Sequence, residues 1–266
     1  MKKNILVTGA SSGFGLLVAN ELHSKGYNVI GTSRNPEKYA SMLPFKMIAL
    51  DLDSEQSINT LPERIFKEIP QLDILINNAG FLVSGIAEET PIELGRQQLE
   101  TNFWGTIKVT NAVLPYFRKQ KFGKIITVGS IVGLVSFPNA AYYAASKHAL
   151  EGYFKSLRYE LDEFNISVSM IEPSAFKTNI VDNSSSTLKK IEDYNTLRKK
   201  IEKFTVNLVE QAEDPAIVAE KVLKVVQVDK PKFRNIVGKG TTALINLQHF
   251  AYGILEKGVL KKLNKA

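Results

Sequence analysis

The sequence predicts an α/β fold with a single doubly wound domain, in which a parallel sheet of about seven strands carries helices on both faces. Three observations lead to this prediction. Apolar, β-branched runs alternate with stretches of helical periodicity up to Pro173, and such alternation is typical of βαβ units. Several of the runs are apolar almost throughout, as strands buried on both faces are. A glycine-rich turn joins the first run to the first helix, as in Rossmann-like domains.

The composition fits one globular domain. A chain of 266 residues is long enough for one large α/β domain but short for two. It contains no cysteine, which excludes disulfides, thiolate metal sites and cysteine nucleophiles, and we predict no metal site. The apolar run that follows Asn4 stops at Thr8. This run is too short for the core of a signal peptide, so we expect a cytoplasmic protein.

The predicted strands and helices follow one another as a doubly wound sheet requires. Strands are expected at 4–8, 28–32, 46–50, 73–77, 124–129 and 166–172. The main helices between them are expected at 54–69, 90–120 and 142–164, because apolar residues recur there at helical spacing.

The pattern changes after Pro173. A polar, serine-rich loop is predicted over 174–190, followed by a charged helix to about residue 211. The next helix has Asp214 as N-cap and Pro215 at its first position. A strand over 233–237 and an amphipathic helix over 241–263 complete the chain's predicted elements. We therefore divide the single domain 1–266 into a cofactor and catalytic core (1–183), a substrate-specificity region (184–240) and a basic C-terminal helix (241–266).

The positive charge is concentrated in the C-terminal third. Residues 1–183 carry 18 basic and 18 acidic side chains, whereas residues 184–266 carry 16 and 9, which accounts for the net charge of +7. A solvated face is the favoured interpretation, and an anionic membrane, an acidic carrier or a phosphorylated substrate are the alternatives. No aromatic platform accompanies the charge, so we expect no nucleic acid partner. The tail is too interrupted to span a membrane. Packing on its own domain or on a partner subunit is favoured over peripheral membrane contact.

The turn after the first strand predicts a dinucleotide site. Its small residues let the backbone approach a pyrophosphate, and the helix that follows offers free N–H groups and the positive end of its dipole. The glycines have the spacing Gly-x3-Gly-x-Gly. The residues expected to contact the phosphates are Gly9, Ser11, Ser12, Gly13, Phe14 and Gly15.

Tyr143 and Lys147 place a phenol and an ammonium group four residues apart on one helix face. A free phenol has a pKa of about 10, so it needs a nearby cation to act as an acid or base at neutral pH. Ser130 follows a predicted strand, at the edge where open α/β sheets bind ligands, and its hydroxyl can hold a substrate oxygen there. Taken singly, the helix pair is also compatible with an exposed pair, and the serine with a turn hydrogen bond.

Two asparagine-containing segments add candidates. Asn77-Asn78-Ala79-Gly80 closes a strand and suits the edge of a nucleotide, although such turns are common. Asn102 is expected in the middle of a helix, where asparagine is a poor choice. Its side chain is therefore either exposed or part of a site.

Taken together, these motifs resemble the short-chain dehydrogenase/reductase family over residues 4 to about 178. The family pattern runs from the glycine turn through Asn-Asn-Ala-Gly, Asn and Ser to Tyr-x3-Lys, and this chain keeps that order. The resemblance implies that Tyr143 is the general acid/base, that Lys147 lowers its pKa and holds the nicotinamide ribose, that Ser130 orients the substrate oxygen, and that Asn102 anchors a water linking Lys147 to solvent.

The same resemblance implies further cofactor contacts at Asp51, Leu52, Asn78, Ala79, Gly80, Pro173 and Thr178. The chain departs from the family at Ser174, where a glycine is usual. Homo-oligomers, dimers or tetramers, are expected through the helices at 90–120 and 142–164. Trp104, Phe117 and Phe154 are candidates for that contact, although core packing explains them equally well.

The end of the second strand bears on the choice of cofactor. An NAD site has a carboxylate there for the ribose 2′-hydroxyl, whereas an NADP site has an arginine for the 2′-phosphate. This chain has Ser33 and Arg34, and no acidic residue before Glu37. We therefore predict that NADP(H) is preferred over NAD(H).

The expected reaction is hydride transfer between NADP(H) and a carbonyl or secondary alcohol of a small molecule. The segment from Tyr143 to Gly152 is similar to the branch containing hydroxysteroid and retinol dehydrogenases. Phe176, Ile180 and Phe204 can line an apolar pocket, so a hydrophobic substrate is the first expectation. A 3-oxoacyl-carrier-protein reductase and a non-catalytic NADP(H)-binding sensor or scaffold are the alternatives.

Overall fold

The computed structural model describes residues 2–176, 185–186, 190–210 and 212–265. Its main feature is a sheet of seven strands, all parallel, with a separate pair of two-residue strands. In chain order the strands are β1 (Asn4–Val7), β2 (Asn28–Ser33), β3 (Lys46–Ala49), β4 (Ile74–Asn77), β5 (Val83–Ser84), β6 (Gly123–Val128), β7 (Ile166–Pro173), β8 (Ser185–Ser186) and β9 (Arg234–Val237).

The sheet has the order β3-β2-β1-β4-β6-β7-β9. The chain therefore builds outward from β1 in one direction and then returns to add β4 on the other side. This reversal creates a switch point between β1 and β4, and ligands of open α/β sheets bind outside the carboxyl ends of the strands at such a point. The predicted doubly wound fold is confirmed.

The helices cover both faces of the sheet. They are α1 (Gly13–Ser24), α2 (Glu55–Asn59), α3 (Leu61–Glu68), α4 (Ile92–Leu99), α5 (Thr106–Gln120), α6 (Ala141–Glu160), α7 (Asn195–Glu210), α8 (Ala216–Gln227), α9 (Thr241–Phe250) and α10 (Tyr252–Lys265). No helix in the described part of the chain is long and apolar enough to cross a membrane.

Three of the predicted helices are interrupted. The segment 54–69 divides at Thr60, after which Pro62 lies in the first turn of α3. The segment 90–120 contains a π-helical stretch at Glu100–Gly105. The tail breaks at Ala251, because Ile245 and Leu255 bury against the same cluster. On one continuous helix these two side chains would point about 80° apart.

Two apolar layers hold the sheet. On one face, α3, α5 and α6 bury residues such as Ile65, Val113 and Leu150. On the other, α1 and α8 bury residues such as Leu22 and Val222. Successive strand residues point to opposite faces, which is why strands buried on both sides are apolar throughout.

The candidates for a subunit contact separate into two groups. Phe117 and Phe154 are 0% exposed and belong to the core between α5, α6 and the sheet, so their assignment to a contact between subunits is wrong. The amphipathic pattern predicted burial but did not show that the burial lies within one chain. Trp104, in contrast, is 49% exposed.

Candidate active site

The glycine turn is fixed by the turn that follows β4. The Thr8 hydroxyl accepts hydrogen bonds from the backbone N–H groups of Asn78 and Ala79, at 2.9 and 3.0 Å. The side-chain amide of Asn78 donates in return to the carbonyl oxygens of Thr8 and Gly9, at 3.0 and 3.2 Å. A Cβ on Gly15 would overlap with Gly9 O and Asn78 Nδ2. The two turns at the switch point therefore form one unit that requires glycine at position 15.

The start of α1 is open in front. Gly13 has φ of 54°, and a Cβ there would meet no atom within 4 Å. Ser12 occupies the N-cap position without a side-chain capping bond. Free N–H groups at a helix N-terminus, with space before them, fit the phosphates of a dinucleotide.

Arg34 and Ser33 follow β2 as predicted. Arg34 is exposed and has no ion-pair partner in the described part of the chain, so its guanidinium is available to an anionic ligand. Ser33 is buried, and its hydroxyl accepts the N–H of Asn35 at 3.1 Å.

After β3, Asp51 accepts the N–H of Asp53 at 3.1 Å and donates its own N–H to Ser57 at 2.9 Å. Leu52 is buried against Gly105. All these positions lie at the carboxyl ends of neighbouring strands, which is the binding edge of the sheet.

Tyr143, Lys147 and Ser130 meet at the carboxyl end of β6. Both helical residues lie on α6, and Lys147 Nζ is 5.7 Å from the centre of the Tyr143 ring. The same Nζ donates a hydrogen bond of 3.0 Å to the carbonyl oxygen of Val128, the last residue of β6. The Ser130 hydroxyl accepts the N–H of Val132 at 3.3 Å, and it lies near enough to Tyr143 to lower the pKa of the phenol. A hydroxyl, a phenol and an ammonium group thus converge.

Burial controls the ionisation of this group. Desolvation raises the pKa of Tyr143 to about 12, and the nearby Ser130 hydroxyl opposes that rise. Desolvation lowers the pKa of Lys147 to about 8. In the protein without ligands, burial therefore outweighs the expected lowering of the phenol pKa by Lys147. At neutral pH the phenol is protonated and the lysine remains mostly charged.

Asn102 lies in the π-helical stretch and is 1% exposed. Its side chain accepts the N–H of Phe81 at 3.0 Å and donates to the Phe81 carbonyl oxygen at 2.9 Å, and it also donates to the Ser146 hydroxyl at 3.4 Å. The exposed interpretation is thus wrong. Asn102 joins the loop after β4 to α6, and π-helical turns are frequent at functional sites.

Ser174 fits where the family usually has glycine. Its N–H pairs with the carbonyl oxygen of Val237 at 2.9 Å, which continues the contact between Pro173 and β9. Its hydroxymethyl group lies over Gly238, where a Cβ would collide with it. The missing side chain at Gly238 therefore makes room for the one at Ser174.

The predicted apolar pocket residues do not form one group in the described structure. Phe176 stands edge-on to Phe14 in the glycine turn, with ring centres 5.8 Å apart. Phe204 packs instead with Ile86 and Leu263. Thr178 and Ile180 lie outside the described residues.

Sequence reasoning missed a buried charged cluster behind Ser130. Arg234 donates from Nε to Glu172 at 3.0 Å and from Nη2 to Glu151 at 2.8 Å. Burial, together with the hydrogen bond and the charge of Glu151, raises the pKa of Glu172 to about 9. Glu172 therefore keeps its proton at neutral pH. The available signals were a glutamate at the end of an apolar strand and another four residues after Lys147.

Known proteins resemble this chain over most of its length. The family model described as short chain dehydrogenase matches residues 3–189. An uncharacterized oxidoreductase of Bacillus subtilis, YusZ, is 40% identical over 98% of this chain and 99% of its own length. The 3-ketodihydrosphingosine reductase of Bacteroides thetaiotaomicron is 37% identical over 88% and 87%. The solved structure of ElxO with NADP bound matches with a TM-score of 0.76 and 27% identity, over 91% of this chain and 100% of ElxO.

Proposed function

The chain belongs to the short-chain dehydrogenase family, and we propose that it transfers hydride between NADP(H) and the carbonyl or secondary alcohol group of a hydrophobic substrate. The observation that carries this proposal is the meeting of Ser130, Tyr143 and Lys147 at the carboxyl end of β6. A phenol, a hydroxyl and an ammonium group together supply acid–base chemistry and stabilise charge on a substrate oxygen.

The chain's own residues fit such a cofactor. The open space before Gly13 suits the pyrophosphate, and Arg34 suits a 2′-phosphate because a guanidinium binds phosphate with two parallel hydrogen bonds. The NADP bound to ElxO is consistent with this preference. The other contacts that we propose are Gly9, Ser11, Ser12, Phe14, Gly15, Ser33, Asp51, Leu52, Asn78, Ala79, Gly80, Lys147 and Pro173.

A nicotinamide held at this site would supply or accept the hydride, and the side chains transfer the proton. In reduction, Tyr143 donates its phenolic proton to the carbonyl oxygen. Ser130 donates a hydrogen bond to the same oxygen as negative charge develops on it. The Lys147 ammonium then stabilises the phenolate. Because the pKa of Tyr143 is raised to about 12, the phenol carries its proton at neutral pH and can donate it in reduction.

A long-chain ketone is the substrate class that we propose. One relative is named for the reduction of 3-ketodihydrosphingosine, a ketone on a long alkyl chain. Phe176 stands beside the glycine turn, where it adds apolar surface next to the cofactor site. Apolar walls with a few convergent polar groups are typical of small-molecule sites.

The test is the consumption of NADPH and NADH with 3-ketodihydrosphingosine, steroid and aliphatic ketones, and carrier-linked 3-oxoacyl groups. We expect NADPH-dependent reduction of the free hydrophobic ketones. Tyr143→Phe should lower kcat by about 10²-fold or more, since it removes the proton donor. The Kd for NADPH should stay unchanged, which separates loss of chemistry from loss of folding.

Two results would contradict the proposal. Reduction of carrier-linked groups alone would identify a 3-oxoacyl-carrier-protein reductase. NADPH binding without reduction of any carbonyl, with Tyr143→Phe silent, would identify a sensor or scaffold.

We also propose a homo-oligomer that forms through the surface around the exposed Trp104, at the junction of α4 and α5. The cytoplasmic location stays a prediction from the N-terminal sequence.

A further inference from the structure

The break between α9 and α10 exposes an apolar corner. Phe250, Tyr252 and Ile254 are 87%, 56% and 65% exposed. Ala251, between them, has φ of −150° and ψ of 48°, so it leaves the helical conformation and turns the chain. Three large apolar side chains are therefore exposed within five residues, and concentrations of exposed apolar surface mark interaction sites.

Lysines flank this corner on the outer face of α10. Lys257, Lys261 and Lys265 recur every four residues and are exposed. They lie on the side of the helix opposite the buried Leu255 and Leu263, together with Ile254. Glu256 is the single acidic side chain between residues 241 and 265. This outer face therefore combines apolar and basic groups, as amphipathic helices at anionic lipid surfaces do.

The neighbouring helix α7 extends the same face. Lys200 donates a hydrogen bond of 2.8 Å to Asn264, which joins α7 to the end of α10. A groove between the two helices is lined by Lys203 and Val206 of α7 and Lys265 of α10, together with the polar Glu202 and Asn207. Val206, Leu208 and Val209 are also exposed. We call the outer sides of α7 and α10, with the corner at residues 250–254, the basic-apolar face.

The basic-apolar face is held close to the candidate active site by its inner side. Ile245 and Leu255 bury against Ile131 and Val135, in the loop that directly follows Ser130. Ile201 of α7 buries against Ile86, in the loop after β5. The first loop starts at the carboxyl end of β6, and the second belongs to the connection from the carboxyl end of β4 to α4. A surface that binds this face would thus lie close to the proposed substrate site.

We infer that the basic-apolar face docks on an anionic phospholipid membrane and that the enzyme collects its substrate there. This inference rests on the proposed hydrophobic ketone. A second copy of the chain fits the face less well, because a two-fold contact would bring the lysines of α10 against their own equivalents. An anionic membrane attracts those lysines, and the aromatic corner has the amphipathic rings that favour the headgroup region.

The test is sedimentation of the full chain with vesicles of phosphatidylcholine alone or with 30 mol% phosphatidylglycerol. We expect at least tenfold stronger binding to the anionic vesicles, and weaker binding at 0.5 M salt because the charges are screened. The triple variant Lys257→Glu, Lys261→Glu, Lys265→Glu should lose that gain. The variant Phe250→Ser, Tyr252→Ser, Ile254→Ser should also bind more weakly.

The matched control reverses three exposed lysines elsewhere, Lys67→Glu, Lys119→Glu and Lys155→Glu, which gives the same net charge. It should keep at least half of the binding. Equal loss in both charge variants, or equal binding to neutral vesicles, would overturn the inference. A dimer in analytical ultracentrifugation that the apolar variant dissociates would show that a second copy covers the face. Vesicle binding without ketone reduction would refute the proposed function instead.

Discussion

The proton held by Glu172 predicts a specific change of stability with pH. The pKa of Glu172 is raised to about 9 in the folded protein, whereas an unfolded glutamate titrates near 4.3. Between these values the folded state holds a proton that the unfolded state has released. The stabilisation is therefore complete below the lower value and is lost as pH rises toward the upper one.

The expected magnitude follows from linkage. One extra bound proton in the folded state costs about 1.4 kcal/mol of unfolding free energy per pH unit. Between pH 6 and pH 8 the wild type should lose about 2–3 kcal/mol through this group. Glu172→Gln removes the titration, and its amide can still accept from Arg234 and donate to Glu151.

The assay is urea unfolding of both proteins at pH 6, 7 and 8, compared as the difference between variant and wild type. Taking this difference removes the contributions of groups that stabilise the folded protein as pH rises. Lys147 is one such group, because its pKa is lowered to about 8 and its contribution to stability rises with pH above that value. We expect the variant to gain about 2–3 kcal/mol relative to the wild type by pH 8.

The exposed Glu63→Gln is the control and should follow the wild type at every pH. A Glu172→Gln curve that also runs parallel to the wild type would refute the raised pKa of Glu172.

Three further predictions concern the cofactor site and the fold. Gly15→Ala should abolish measurable NADPH binding in a fluorescence titration, because the new Cβ overlaps with the Gly9 carbonyl. Retained binding would contradict the proposed role of the two turns at the switch point. Arg34→Glu should lower kcat/KM for NADPH by about tenfold or more, because it removes the guanidinium proposed to bind the 2′-phosphate, whereas NADH lacks that phosphate and should lose little. Lys124→Met should lower the unfolding free energy by about 2–3 kcal/mol in urea, because Lys124 donates to three carbonyl groups at the end of α8; a loss below 0.5 kcal/mol would refute that role.

Local signals allowed much of the fold and of the site to be predicted from the sequence. Each apolar run ends at a residue that the sheet places on its binding edge, so Gly9, Arg34 and Ser130 could be brought together by topology alone. Helical spacing likewise put Tyr143 and Lys147 on one face of α6.

The remaining features depend on contacts between distant segments. Arg234 reaches Glu151 and Glu172 only because β9 pairs with β7, and no local pattern shows that pairing. The inward direction of Phe117 and the break at Ala251 have the same origin, because tertiary packing decides which apolar face is buried.

The contact between Ser174 and Gly238 has a consequence for related sequences. The side chain of Ser174 occupies the volume that a side chain at position 238 would need. Gly238 also has φ of 119°, which disfavours any other residue there. Relatives with serine at position 174 should therefore keep glycine at position 238, whereas relatives with glycine at position 174 can accept other residues at position 238. Positions 174 and 238, which directly follow the neighbouring strands β7 and β9, should covary across the family as a single steric unit.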